Sequence, residues 1–180
     1  MTSGAAKSKR PWPVMSIAEA HARMIAPGML FELEDAVVRG VPLKVYKNAP
    51  PSARFLAEIS RFHGDKEFLI HRDERVTFEG HYRAVAALAT VLVERFGIKK
   101  GDRIAIVMRN LPEWSVALFA ALSIGAIAVP LNAWWTGEEL EYGLSDSGSR
   151  IAIVDEERAS RLAPHVTNLH LDALIIARAA

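Results

Sequence analysis

Between Arg103 and Ala177 the chain alternates between two kinds of segment, and this alternation constrains the fold more than any other feature. Four short apolar runs, RIAIVM (103–108), IAVPL (127–131), IAIV (151–154) and ALIIA (173–177), are separated by stretches of helical character. Apolar runs of this length without polar alternation suit strands covered on both faces. Strands that alternate with helices form βαβ units with right-handed crossovers. The expected fold class is α/β: a mostly parallel βαβ sheet with flanking helices, its sequential strands lying side by side.

The punctuation between the runs agrees. Asn110 can cap a helix, Pro112 tolerates a first turn because its missing N–H would go unpaired, and Glu113 favours the positive end of the dipole. Gly125 ends that helix. Thr136-Gly137-Glu138-Glu139 has the form of a capping box, and Ser147-Gly148 closes the helix that it opens. Asp155 can cap a further helix to about Ala163.

Upstream, Glu67–His71 and Arg75–Phe78 flank Asp73-Glu74 and predict a β-hairpin. Glu79–Phe96 places Tyr82, Val85, Ala89, Leu92 and Phe96 on one helical stripe, with Gly97 at the C-terminal cap. Before that the reading is an irregular N-terminal helical region. Ser16–Ile25 has helical composition and stops at Pro27-Gly28; Met29–Val38 is expected to form a second short helix ending at Gly40. Asn48–Ser52, with Pro50-Pro51, must be extended, and Ala53–Phe62 has helical spacing. The expected organisation is a loosely attached tail (1–15), a helical and extended region (16–66) and an α/β subdomain (67–180).

Charge and residue counts exclude whole classes of function. Lys and Arg total 22 against 21 Asp and Glu, so no net field draws a nucleic acid or an anionic membrane. The absence of cysteine removes disulfides, thiolate catalysis and thiolate-bound zinc. The six histidines show no ligand spacing, and no metal site is expected. The basic start with Lys7, Lys9 and Arg10 is read as a tail rather than a targeting address, which implies a cytoplasmic chain. The uncharged stretch Trp114–Gly137 is long enough to span a bilayer, but Gly125 and Pro130 divide it, so it reads as a buried helix and then a buried strand. Peripheral membrane contact through residues 12–38 is a weaker alternative.

In an open parallel sheet ligands sit beyond the carboxyl ends of the strands. Those ends are Arg109-Asn110, Asn132–Thr136 and Asp155–Arg161. The chain has no G-x-G-x-x-G, no G-x-x-x-x-G-K-[ST] and no G-x-S-x-G. The acidic groups Glu138-Glu139 and Asp155-Glu156-Glu157 stand at helix starts, where capping and dipole roles suffice. Arg158 and Arg161 lie on one helical face and could hold a phosphate; the alternative is a solvated face balanced by Asp155, Glu156 and Glu157. Trp134-Trp135 could line a cleft or a partner interface, or pack between sheet and helix.

Gly101-Asp102-Arg103, Asn110 with Pro112-Glu113-Trp114, Gly125-Ala126, Val129-Pro130-Leu131-Asn132, Glu139-Leu140 and Asp146-Ser147 together resemble the N-terminal part of acyl-CoA synthetases, members of the adenylate-forming superfamily. The run WWTGEELEYGLSDSG is most similar to fatty-acid or related carboxylate–CoA ligases. The resemblance implies that a carboxylate and Mg-ATP give an acyl-adenylate, from which coenzyme A then displaces AMP. The family's phosphate loop, adenine-site motif, ribose-binding aspartate and lid lysine are not found in these 180 residues, so no catalytic residue is assigned. The full enzyme would use ATP, Mg and coenzyme A; this chain is expected to bind none firmly and to be inactive alone. The resemblance further offers Asn132, Ala133 and Trp134, with Arg158 and Arg161, as candidate coenzyme A contacts. The implied partner is the remainder of the parent enzyme, with self-association of the isolated chain. A stand-alone binding or protein-interaction module built on the same subdomain is the alternative.

Overall fold

The computed structural model describes residues 14–179. Most of the expected tail, residues 1–13, lies outside the described residues. The described chain forms two compact units that divide between Pro51 and Ser52.

In the first unit, α1 (Ile17–Met24) is opened by a capping box in which the Ser16 hydroxyl and the Glu19 carboxylate serve each other's backbone N–H. The helix expected over Met29–Val38 does not form. Strands β1 (Leu33–Val38) and β2 (Val41–Tyr46) make an antiparallel hairpin instead. Its two-residue loop, Arg39-Gly40, has φ of 51° and 84°. Two positive φ values in a two-residue loop match the right-handed twist of the flanking strands. The β-branched Val37, Val38, Val41 and Val45 on either side of that loop favour the pleated conformation over a helix.

The second unit opens with α2 (Ala53–Ser60), which runs on through a 3-10 turn to His63. The predicted hairpin follows as β3 (Glu67–His71) and β4 (Glu74–Thr77). Helix α3 (Phe78–Glu94) carries the predicted stripe, with Val85 and Leu92 buried and Gly97 at φ 60° beyond its end.

The four apolar runs become β5 (Arg103–Val107), β6 (Ile127–Pro130), β7 (Ile151–Asp155) and β8 (Ala173–Ala177). Between them run α4 (Pro112–Ser123), α5 (Gly137–Ser147) and α6 (Glu156–Leu162). All neighbouring strand pairs in this sheet are parallel, as expected. The spatial order is β6-β5-β7-β8, so the chain neighbours β6 and β7 do not pair but lie on opposite sides of β5. Alternate residues of the central strands feed two cores. Ile104, Ile106, Ile151 and Ile153 meet Leu92, Ala117 and Ala121 of α3 and α4 on one face. Ala105, Val107, Ala152 and Val154 meet Leu140, Leu144 and Leu162 of α5 and α6 on the other. This burial on both faces is why the runs read as continuously apolar.

The helix ends follow the sequence with one exception. Thr136 and Glu139 form their capping box, Gly148 closes α5 in the left-handed conformation, and the Asp155 carboxylate caps α6. Asn110 does not cap α4. The N-cap is Leu111, extended at ψ 157°, because Pro112 at the first helical position forbids a helical residue before it. The uncharged stretch Trp114–Gly137 divides between α4 and β6 as the sequence indicates, and no helix among the described residues is long and apolar enough to cross a membrane.

Candidate functional site

Because β6 and β7 leave β5 in opposite directions, the carboxyl ends of β5 and β7 mark a topological switch point, where loops diverge and leave a crevice. A cleft of about 940 Å³ lies there. Its walls come from the segment after β5, the loop after β6, the start of α6, the tip of the β3–β4 hairpin and Arg178 beyond β8. A second cavity, of about 330 Å³, lies among α2, α3 and α4, away from the strand ends. Ala57, Val85, Ala86 and Ala89 line it, together with Arg54 and Glu58, which neutralise each other. Convergent polar groups distinguish the larger cleft, so it is the candidate site.

Asp155 joins the strand ends. One carboxylate oxygen accepts from the Arg158 N–H (3.0 Å) and caps α6; the other accepts from the Arg109 N–H (2.9 Å) at the end of β5. Both oxygens also accept from Nη1 of Arg158, at 3.2 and 3.1 Å. The Arg158 side chain is 1% exposed, which sets aside a solvated helix face for it. Its Nε donates to the Ala133 carbonyl (2.7 Å), Nη1 also reaches Glu157 (2.9 Å), and the buried Nη2 has no partner among the described residues. Nη1 of Arg161 donates to the Ala133 carbonyl (3.3 Å) and the Trp135 carbonyl (2.9 Å), while Nη2 pairs with Glu157. Both arginines therefore grip the backbone of the loop that follows β6.

That loop holds its own turn, with the Asn132 side-chain oxygen accepting from the Trp134 N–H (3.0 Å). The two tryptophans have separate roles. Trp135 packs into the α5–α6 core, where a Cβ on Gly143 would come within 2.8 Å of its ring. Trp134 is 67% exposed and lines the cleft, with the Arg109 guanidinium 3.9 Å from its ring centroid. Of the five residues expected from sequence, Asn132, Ala133, Trp134 and Arg158 line the cleft, and Arg161 stands behind the loop and holds it.

Sequence reasoning missed two contributors. The sequence marks Arg109 only as a strand end and does not mark Arg178, although Arg109 stands two residues after β5 and Arg178 directly after β8, on the ligand side of the sheet. Arg178 donates through both terminal nitrogens to Glu74 (2.7 and 2.6 Å) and through Nε to Glu113 (2.9 Å), tying hairpin, α4 and β8 together. These bonds raise the Arg178 pKa and hold the Glu74 carboxyl below its ordinary range. Away from the cleft, His81 is buried with Nε2 2.9 Å from the Ser115 hydroxyl, and burial lowers its pKa. Among the described residues no cluster of three or more His, Asp or Glu side chains could hold a metal ion.

Fold and cleft define a doubly wound α/β subdomain of the kind that places ligands at a switch point. The comparisons with known proteins specify it. The profile of the AMP-binding enzyme family matches residues 56–179, and the chain belongs to that family. A long-chain-fatty-acid–CoA ligase of Haemophilus influenzae is 36% identical over 118 residues, which are 66% of this chain and 21% of that protein. The crystal structure of an anthranilate CoA ligase in complex with anthranoyl-AMP superposes with a TM-score of 0.68 at 24% identity, covering 72% of this chain and 26% of that one; this is a likeness of fold. A Mycobacterium tuberculosis fatty acyl CoA synthetase superposes with a TM-score of 0.61 at 25% identity, covering 70% and 26%. The chain thus spans about a fifth of the length of the curated relatives it matches.

Proposed function

We propose that this chain is the N-terminal part of an ATP-dependent carboxylate–CoA ligase that acts on a fatty acid through an acyl-adenylate, and that it performs no chemistry alone. The carrying observation is the polar cleft at the switch point of a chain in the AMP-binding family, whose matched relatives include long-chain-fatty-acid–CoA ligases. In this reading residues 67–180 form the α/β subdomain of a cytoplasmic enzyme, and the remainder of that enzyme is the partner. The whole enzyme takes a carboxylate and Mg-ATP to the acyl-adenylate and pyrophosphate, and then transfers the acyl group to the thiol of coenzyme A.

The role proposed for this chain is to wall the nucleotide end of coenzyme A with Asn132, Ala133 and Trp134, backed by Arg158 and Arg161. Two observations support it. Nη2 of Arg158 is buried beside the cleft without a partner among the described residues, which suits an anionic oxygen, and an exposed indole offers a face for a planar base. The test is pyrophosphate release with ATP, Mg²⁺ and a panel of fatty acids, followed by thioester formation on adding coenzyme A. It is run on this chain and on the complete natural reading frame that contains it. The reading expects acyl-CoA from the complete product and none from the 180 residues. Turnover by the 180 residues, or a natural product that forms no acyl-CoA, overturns it; a reading frame that ends at Ala180 favours a stand-alone binding module.

A further inference from the structure

The cleft is bordered by four arginines, and the structure disposes of them unequally. Arg178 has each of its three nitrogens bonded to Glu74 or Glu113. Arg158 is held by Asp155, Glu157 and the Ala133 carbonyl, and keeps one nitrogen that is free among the described residues. Arg72 sits at the hairpin tip with a left-handed backbone, φ 53°, and nothing among the described residues fixes its guanidinium. Arg109 differs from all three. Its backbone N–H is anchored on the buried Asp155, and its guanidinium carbon lies over Trp134, 3.9 Å from the ring centroid, with no carboxylate or carbonyl partner among the described residues. It is a cation held in place whose hydrogen-bond donors are unspent.

A guanidinium held against a ring face by cation–π attraction spends none of its N–H donors on that contact, so a phosphate can take two of them. From this we infer that Arg109, which the sequence motif does not single out, is the residue that meets the phosphate of a nucleotide in this cleft. Trp134 serves as its platform, and Asp155 acts as the positioning residue. The pair that sequence reasoning put forward, Arg158 and Arg161, chiefly shapes the loop. The inference rests on the nucleotide-binding role proposed above and adds to it the residue that reads the charge.

The experiment titrates the 180-residue chain with adenosine 3′,5′-bisphosphate, adenosine and inorganic phosphate, following tryptophan fluorescence and calorimetric heat. The wild-type chain is expected to bind the bisphosphate more tightly than either part. Arg109→Ala weakens the bisphosphate by about tenfold, the range of a hydrogen bond to a charged group, and leaves adenosine unchanged. Arg109→Lys restores part of the loss, and Trp134→Phe keeps more affinity than Trp134→Ala. If Arg109→Ala binds the bisphosphate as the wild type does, the inference falls while the ligase reading stands on the acyl-CoA assay. If the wild-type chain binds no bisphosphate at 10 mM, the inference falls together with the nucleotide-wall role, again without touching that assay.

Discussion

Replacing Arg158 by Ala removes a guanidinium that the fold buries almost completely. Asp155, itself 7% exposed, then keeps its two backbone donors but loses the countercharge, and the Ala133 carbonyl loses its shortest donor. Removing one partner of a buried, hydrogen-bonded ion pair costs about 3–5 kcal/mol, because the remaining charge stays desolvated. That is a large share of the roughly 5–15 kcal/mol that holds a domain together. With a urea m-value of about 2 kcal/mol/M, the unfolding midpoint should fall by about 1.5–2.5 M, read by circular dichroism. Arg158→Lys should recover only part of the loss, since an ammonium cannot span Asp155 and the Ala133 carbonyl as the guanidinium fork does. The double variant with Asp155→Asn should cost less than the sum of the singles by about 1–3 kcal/mol. An Arg158→Ala midpoint within about 0.3 M of wild type would refute the reasoning, for it would mean that the pair is solvated and worth only a surface salt bridge.

Three further outcomes follow from other parts of the fold. Gly137→Ala places a Cβ 2.5 Å from the Arg161 carbonyl oxygen and 2.6 Å from Nε2 of His165; thermal unfolding should show a loss of about 1–3 kcal/mol, and an unchanged midpoint would contradict the close packing. Burial holds the His81 pKa below its ordinary value, so on acidification the unfolded chain takes up a proton that the folded chain refuses. Stability contributed by His81 is therefore complete above about pH 7.5 and falls as pH drops through about 6.5, by up to roughly 1.4 kcal/mol per pH unit; denaturant titrations at pH 7.5 and 5.5 should show this, and His81→Gln should flatten it. Finally, among the described residues β8 pairs on one side only, and Phe55, Leu56, Ile59 and Phe62 along α2 and its 3-10 turn are exposed. Light scattering should show a mass that rises with concentration, reduced by Ile176→Lys on the open edge strand; a monomer at every concentration would count against it.

How far the sequence reveals this fold depends on how far apart the deciding residues lie. The strands β5 and β7 are legible because each residue of RIAIV and IAIV states its own burial, and Gly148 and Thr136 mark helix ends through local backbone chemistry. The hairpin at 33–46 is missed because its signal, Arg39-Gly40 between valines, sits beside an apolar spacing that also fits a short helix. Strand order is not written in any one segment: it depends on which edge of β5 each neighbour takes. The site divides in the same way. Arg158 and the 132–134 loop are legible from a motif, but Asp155 reaches Arg109 across 46 residues and Arg178 reaches Glu74 across 104, contacts that no local pattern records.

The account's central claim is that ligand chemistry in this chain lies at the β5–β7 switch point. Nitrogen-15-labelled chain titrated with coenzyme A and followed by amide chemical shifts tests it directly. The largest shifts should fall on Arg109, on Asn132, Ala133 and Trp134, and on Glu156, Glu157 and Arg158. Shifts confined to the helical cavity lined by Ala57, Val85 and Ala89, or a spectrum that coenzyme A leaves unmoved, would contradict it.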